Sequence, residues 1–239
     1  MDRNYLAIIL AAGKGTRLEY KGPKALFEVN KIPLIQYLFK SITNLGSIDL
    51  LTVVGHKRNT LINYIKNKSM YTIQEQQLGT AHAVNQCTEY IKKYKNTFIF
   101  VGDAPFISES YISSMIKLHE KEKSDCTFLY SKFPINLPYG RLIFNNQNRL
   151  LRLVEFHHAN KEEIKSNSYF TSQYLFKSST LLELLKKINP DIKTGEFNLT
   201  DSLNILIGQD SRISPLFIKN YKKLIGINSI EDFNYIINK

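Results

Sequence analysis

A chain of 239 residues, 43% of them hydrophobic and 22% charged, is long enough for one domain with a large core and too apolar to be disordered. No run of about 18 uncharged apolar residues occurs, which excludes a spanning helix. The net charge of +11 comes from lysines spread along the chain, with no basic block and no interleaved aromatics, so it argues for anionic small molecules and against nucleic acid.

The first half alternates strand and helix signals. Tyr5 to Leu10 is a short apolar run of the buried-strand kind, halted by Ala-Ala-Gly13. Pro33 to Leu45 repeats apolar residues at helical spacing and stops at Gly46. Asp49 to Val54 predicts a second buried strand, Leu61 to Ile65 a short helix and Tyr71 to Gln74 a third strand. A helix over Thr80 to Tyr94, the most hydrophobic strand over Thr97 to Val101 and a helix over Ser108 to Lys121 complete a βαβ series. From Asp125 onward strand signals dominate: Cys126 to Tyr130, Arg141 to Phe144, Leu150 to Phe156 and Tyr169 to Phe176. Helices return at Ser179 to Ile188 and Leu199 to Ile207. A strand over Ile213 to Ile218, an apolar piece at Leu224 to Ile227 and a helix from Ser229 follow. The expected fold is α/β: a Rossmann-like, mostly parallel mixed sheet flanked by helices, with a smaller β-rich lobe. All of 1–239 forms one domain, with about 1–124 binding a nucleotide and about 125–239 an acceptor.

The apolar run near Met1 is too short for a signal peptide, and Cys87 and Cys126 lie at no metal spacing. Both read as buried thiols, in a soluble cytoplasmic protein with no membrane or nucleic-acid partner.

Ligands of open α/β sheets sit beyond the carboxyl ends of the strands, and three polar sequences fall there. In Leu10-Ala-Ala-Gly-Lys-Gly-Thr-Arg17, small residues let backbone amides approach phosphates while Lys14 and Arg17, then Lys24, add charge. Its spacing is neither the dinucleotide fingerprint nor the P-loop. In Gln74-Glu-Gln-Gln-Leu-Gly-Thr-Ala-His82, Gln74 offers the donor and acceptor that a nucleobase edge needs, and Gly79 and Thr80 open a helix where an anion is favoured. His82 reads as a helix-face histidine satisfied by backbone before it reads as a catalyst. In Val101-Gly-Asp-Ala-Pro105, a carboxylate leaving a central strand needs a partner or a cation, so Asp103 is the best candidate for a Mg²⁺ ligand, with an N-cap as its structural alternative. Together the three describe metal-assisted phosphoryl chemistry on a nucleoside triphosphate without a P-loop.

These motifs resemble the uridylyltransferase (pyrophosphorylase) domain of the bifunctional GlmU enzymes. The likeness continues through Tyr139-Gly-Arg141, Val154-Glu155, Gly195-Glu-Phe-Asn-Leu-Thr-Asp201 and Gly226-Ile-Asn228, over nearly the whole chain. It implies that Leu10, Ala11, Ala12, Gly13, Lys24, Gln74, Gly79 and Thr80 hold the nucleotide. Arg17 and Lys24 would face its phosphates, Asp103 and Asn228 would bind Mg²⁺, and Gly140, Glu155, Thr171 and Asn228 would meet the acceptor. The implied reaction couples a nucleoside triphosphate, UTP as first choice, to a sugar 1-phosphate such as an (N-acetyl)hexosamine 1-phosphate. Its products are a nucleoside-diphosphate sugar and pyrophosphate. GTP or CTP, another phosphate acceptor, and a non-catalytic binding protein stay open as alternatives. Phe170-Thr171-Ser172 stands where those uridylyltransferases carry Asn-Thr-Gly; a side chain that neither donates nor accepts there can shift acceptor specificity. His157-His158 is a second departure, and as a metal site it would need further ligands. No hexapeptide repeats of an acetyltransferase β-helix occur, so no acetyl transfer is expected.

Overall fold

The structure, a computed structural model, describes residues 3–18 and 20–237. Its strands are β1 (Arg3–Ala11), β2 (Glu28–Val29), β3 (Ile32–Pro33), β4 (Ile48–Val54), β5 (Met70–Ile73), β6 (Tyr94–Val101), β7 (Cys126–Lys132), β8 (Arg141–Phe144), β9 (Leu150–Val154), β10 (Ser168–Lys177) and β11 (Ile213–Phe217). Its helices are α1 (Leu34–Thr43), α2 (Arg58–Ile65), α3 (Thr80–Asn85), α4 (Thr88–Ile91), α5 (Glu109–Glu122), α6 (Lys161–Ile164), α7 (Ser178–Leu185), α8 (Asp201–Gly208) and α9 (Ile230–Ile237). The main sheet runs in the order β11-β7-β10-β6-β1-β4-β5, with the β8–β9 hairpin attached to β10. Every neighbouring pair along that path is parallel except those made by β10, which is antiparallel to both β6 and β7.

Alternation along the central strands divides the core in two. Tyr5, Ala7 and Ile9 of β1 face one side, where they join Ile35 and Leu38 of α1 and Ile112 and Met115 of α5. Leu6 and Ile8 face the other, with Val84 of α3, Leu181 of α7 and Leu203 of α8. This period of two explains why the strands read as continuous apolar runs: both faces are covered by helices. The expected α/β architecture is the one observed.

The second half of the chain largely extends the first. Strands β7, β10 and β11 join the sheet that β1, β4, β5 and β6 begin, and only the β8–β9 hairpin projects from it. Because β10 runs in reverse, its beginning lies at the same edge as the carboxyl ends of β1, β5 and β6. The sheet direction therefore delivers three loops and residues 168–172 to one place.

One expected helix is two. Thr80 to Tyr94 breaks between α3 and α4, where the Thr88 hydroxyl donates to the Asn85 carbonyl at 2.8 Å and competes with the helical ladder. Tyr94 then opens β6 instead of closing a helix. Cys87 and Cys126 are free, buried thiols, and burial raises both pKa values. His119 on α5 is also buried, with Nδ1 at 3.0 Å from Thr127 Oγ1. Desolvation lowers its pKa to about 4, against the pull of Asp125 and Glu120. Among the described residues no helix is long and apolar enough to cross a membrane.

Candidate active site

The loop after β1 is shaped by one glycine in particular. Gly15 has φ +60°, and a Cβ there would lie 2.7 Å from Lys24 Cβ, so the position favours glycine both for its left-handed backbone and for the room the Lys24 stem takes. Leu10, Ala11, Ala12 and Gly13 line a cleft of about 370 Å³ together with Arg17 and Lys24. Gln74, Gly79, Thr80, Asp103 and Asn228 line the same cleft. Every residue expected to hold the nucleotide thus lines one cavity.

Gln74 is almost fully buried, and its amide nitrogen is held by the Gly79 carbonyl at 3.1 Å and by His82 Nδ1 at 3.0 Å. His82 therefore braces the glutamine. Gly79 has φ +104°, and a Cβ would fall 2.5 Å from the Phe197 carbonyl oxygen. That close approach lets Phe197 pair with the loop: its N–H donates to Leu78 and its carbonyl accepts from Ala81, both at 2.8 Å. The Thr80 hydroxyl accepts from Leu199 N at 2.8 Å. This changes the expectation for the start of α3. The Ala81 amide and the Thr80 hydroxyl are engaged with the 197–199 segment, so positive charge in the cleft comes from Arg17 and Lys24.

The charged centre lies where β6 ends. Lys24 Nζ donates to Asp103 Oδ2 at 2.5 Å and to Asn228 Oδ1 at 2.7 Å, and Arg17 Nη2 donates to the same Asn228 oxygen at 3.1 Å. Gly226 makes this possible, since a Cβ there would lie 2.8 Å from Asp103 Oδ1. The Asn228 amide nitrogen points back to Gly226 O at 3.3 Å, which turns its oxygen toward the cations. Two oxygen donors, one a carboxylate, gathered around a positive charge form the donor set that a hard dication takes alongside substrate phosphates. Asp103 and Asn228 fit such an ion.

A second cavity of about 190 Å³ opens from the same centre, with Asp103 and Asn228 in the walls of both. Gly140, Glu155 and Thr171, the residues expected at the acceptor, line it with Tyr139, Phe170 and Thr200. A two-residue bulge in β10 builds this wall: Phe170 pairs with Tyr130 and Tyr174 with Phe128, and Ser172 between them has φ +57°. The Phe170 ring packs edge-on against Phe128 and Tyr174, so it belongs to the core as well as to the cavity. The Thr171 hydroxyl donates to the Leu129 carbonyl at 3.2 Å, which ties it to the sheet. Among the described residues the buried Thr200 hydroxyl, by contrast, has no hydrogen-bond partner. Tyr139 accepts at its hydroxyl from Gly226 N at 3.0 Å, and burial raises its pKa. Behind it Arg141 is completely buried, bonded to Tyr139 O and, at 2.5 Å, to Asn136 Oδ1, with Tyr169 beneath its guanidinium at 3.9 Å.

Tyr139, Glu196, Thr200 and Gly226 all line these cavities, and sequence reasoning assigned none of them a role. Each lies inside a stretch that carries the family resemblance, so a signal exists for the segment and not for the side chain.

Fold and site together define an enzyme of the nucleotidyltransferase class. Residues 6–226 match the nucleotidyl transferase family, and the chain belongs to it. Curated relatives include the bifunctional protein GlmU of Streptococcus uberis, 34% identical over 94% of this chain, and that of Acetivibrio thermocellus, 32% identical over 93%. In both cases the match covers 49% of the relative, so the chain spans about half the length of these proteins. Similar folds occur in UDP-glucose pyrophosphorylase complexed with UDP-glucose (TM-score 0.77, 21% identity, 98% of this chain and 97% of that one). A putative glucose-1-phosphate thymidylyltransferase from Bacillus anthracis is likewise similar (TM-score 0.79, 17% identity, 97% and 93%).

Proposed function

We propose that this protein transfers a uridylyl group from UTP to the phosphate of a small sugar 1-phosphate, with Mg²⁺ and with release of pyrophosphate. The observation that carries the reading is that two cavities share Asp103 and Asn228 as a common wall, with Lys24 bonded to both. A triphosphate in the larger cavity and an acceptor phosphate in the smaller would meet there.

An acceptor phosphate oxygen attacks the α-phosphorus, a new P–O bond forms, and the bond to the β-phosphate oxygen breaks. The nucleophile is already an anion, so no strong base is required, and rate comes from positioning and charge neutralisation. Lys24 and Arg17 supply fixed positive charge to the phosphates. Gln74, its two amide N–H groups held by Gly79 and His82, keeps its side-chain oxygen to accept a hydrogen bond from the base. Glu155 offers hydrogen bonds to acceptor hydroxyls, a turn of the buried Thr200 hydroxyl toward the same cavity would add another, and the cavity of about 190 Å³ calls for a small acceptor. A bound Mg²⁺, held by Asp103 and Asn228, would add neutralisation of phosphate charge and a template for the in-line geometry.

The test is pyrophosphate release with Mg²⁺ across four nucleoside triphosphates. The acceptor panel should hold N-acetylglucosamine, glucosamine, glucose and mannose 1-phosphates together with phosphocholine. Turnover with UTP and a hexose or hexosamine 1-phosphate is expected. Release with only a different triphosphate would overturn the base assignment. Release only with phosphocholine would overturn the sugar, and tight triphosphate binding without any release would overturn the transfer itself.

A further inference from the structure

His157 and His158 lie next to each other in the turn that follows Glu155, and the tertiary structure supplies them with a third group. Asp191 Oδ2 is 2.5 Å from His158 Nε2 and 3.7 Å from His157 Nε2, and the three candidate ligand atoms lie within 4.8 Å of one another. We propose that His157, His158 and Asp191 form a site for a transition-metal dication of the Zn²⁺ kind, separate from the Asp103–Asn228 centre.

Imidazole with one carboxylate is the donor set that suits zinc, and three protein ligands leave one position open to water. A tetrahedral zinc keeps donors about 3.3 Å apart, so a shift of about 1 Å in the two rings closes the site around it. The carboxylate is held for the purpose. Asp191 Oδ1 accepts from Lys193 N and Thr194 N, both at 2.9 Å, and from Thr194 Oγ1 at 3.2 Å. Those bonds fix the carboxylate and leave Oδ2 turned to the histidines, as outer partners do around metal ligands. The aspartate is largely covered while both rings reach solvent, which gives an ion a path in.

The ion would join two segments that border the substrate cavities. The histidine turn starts at Glu155 in the acceptor wall, and the Asp191 loop leads through Glu196 of the nucleotide cleft to Thr200 of the acceptor cavity. Lys193 already spans the same gap by donating to the His157 carbonyl at 2.8 Å.

Titration with Zn²⁺ in excess Mg²⁺, followed by calorimetry, tests the site without relying on any turnover. One equivalent should bind to the wild-type protein, and binding should weaken at least tenfold in H157Q/H158Q and in D191N. Hydrogen exchange should slow in both 155–159 and 191–196 when Zn²⁺ is added. The free thiols are buried, so they do not compete for the metal. Equal Zn²⁺ binding by wild type and H157Q/H158Q, or exchange unchanged in both segments, would overturn the proposal. Matching melting temperatures in EDTA would show that the variants fold.

Discussion

The two cavities that meet at Asp103 are built on different principles. The nucleotide cleft is made by loops leaving parallel strands, and its polar groups are already matched: Lys24 with Asp103 and Asn228, Gln74 with Gly79 and His82, Thr80 with Leu199. The acceptor cavity is made by a bulge in an antiparallel strand, a projecting hairpin and a returning loop, and it keeps the Thr200 hydroxyl unpartnered. A pre-paired site is rigid before its ligand arrives. A buried hydroxyl without a partner is a cost that the pre-paired cleft does not carry, and a ligand that draws it into a bond would recover that cost.

The largest effect should come from the junction that both regions share. Lys24→Met removes the cation bonded to Asp103 and Asn228, and turnover should fall by about 10²–10³-fold, the loss typical of deleting one donor to a developing charge. Steady-state pyrophosphate release measures it, and a rate within threefold of wild type would remove Lys24 from the mechanism.

A change in the helix packed on the shared sheet should strike both cavities equally. His119 has its pKa lowered from 6.5 to about 4, so the unfolded chain binds a proton at pH values where the folded chain does not. Its contribution is therefore complete above about pH 6.5 and is lost as pH falls toward 4, by at most roughly 3 kcal/mol. Urea unfolding of wild type and His119→Gln across that range should show a flatter profile for the variant. Parallel profiles would mean that carboxylates alone carry the acid sensitivity.

The smallest effect should separate the two regions most cleanly. Thr200→Val keeps the side-chain shape and removes a buried hydroxyl, unpartnered among the described residues, on a residue that lines the acceptor cavity and not the nucleotide cleft. One lost hydrogen bond of about 0.5–1.5 kcal/mol should raise the acceptor KM about 2–10-fold and leave the triphosphate KM alone. Equal shifts in both constants would show that the cavities are not independent.

Much of the fold and of the cleft is legible in the amino-acid sequence. The central strands announce themselves because both faces are covered, so their residues are apolar without alternation, and Gly-rich or acidic residues directly after them mark the ligand edge. Local chemistry hides the break near Thr88, where a hydroxyl competes for a backbone carbonyl, and the bulge at 171–173, which carries no glycine to advertise Ser172 at φ +57°. The individual partners of Thr171 and Thr80 are equally invisible, since each lies on a distant segment.

Sequence by itself thus determined the α/β class, the order of the central strands and most helices, and those cleft residues that the short motifs carry, because periodicity and short motifs are local properties. Only the tertiary structure decided how those residues divide their hydrogen bonds. It made His82 a brace for Gln74, engaged the start of α3 with Phe197, left Thr200 open and brought Asp191 to the His157–His158 pair. Each of these depends on chain segments meeting across the fold, and the reversed direction of β10 puts several of them at one edge.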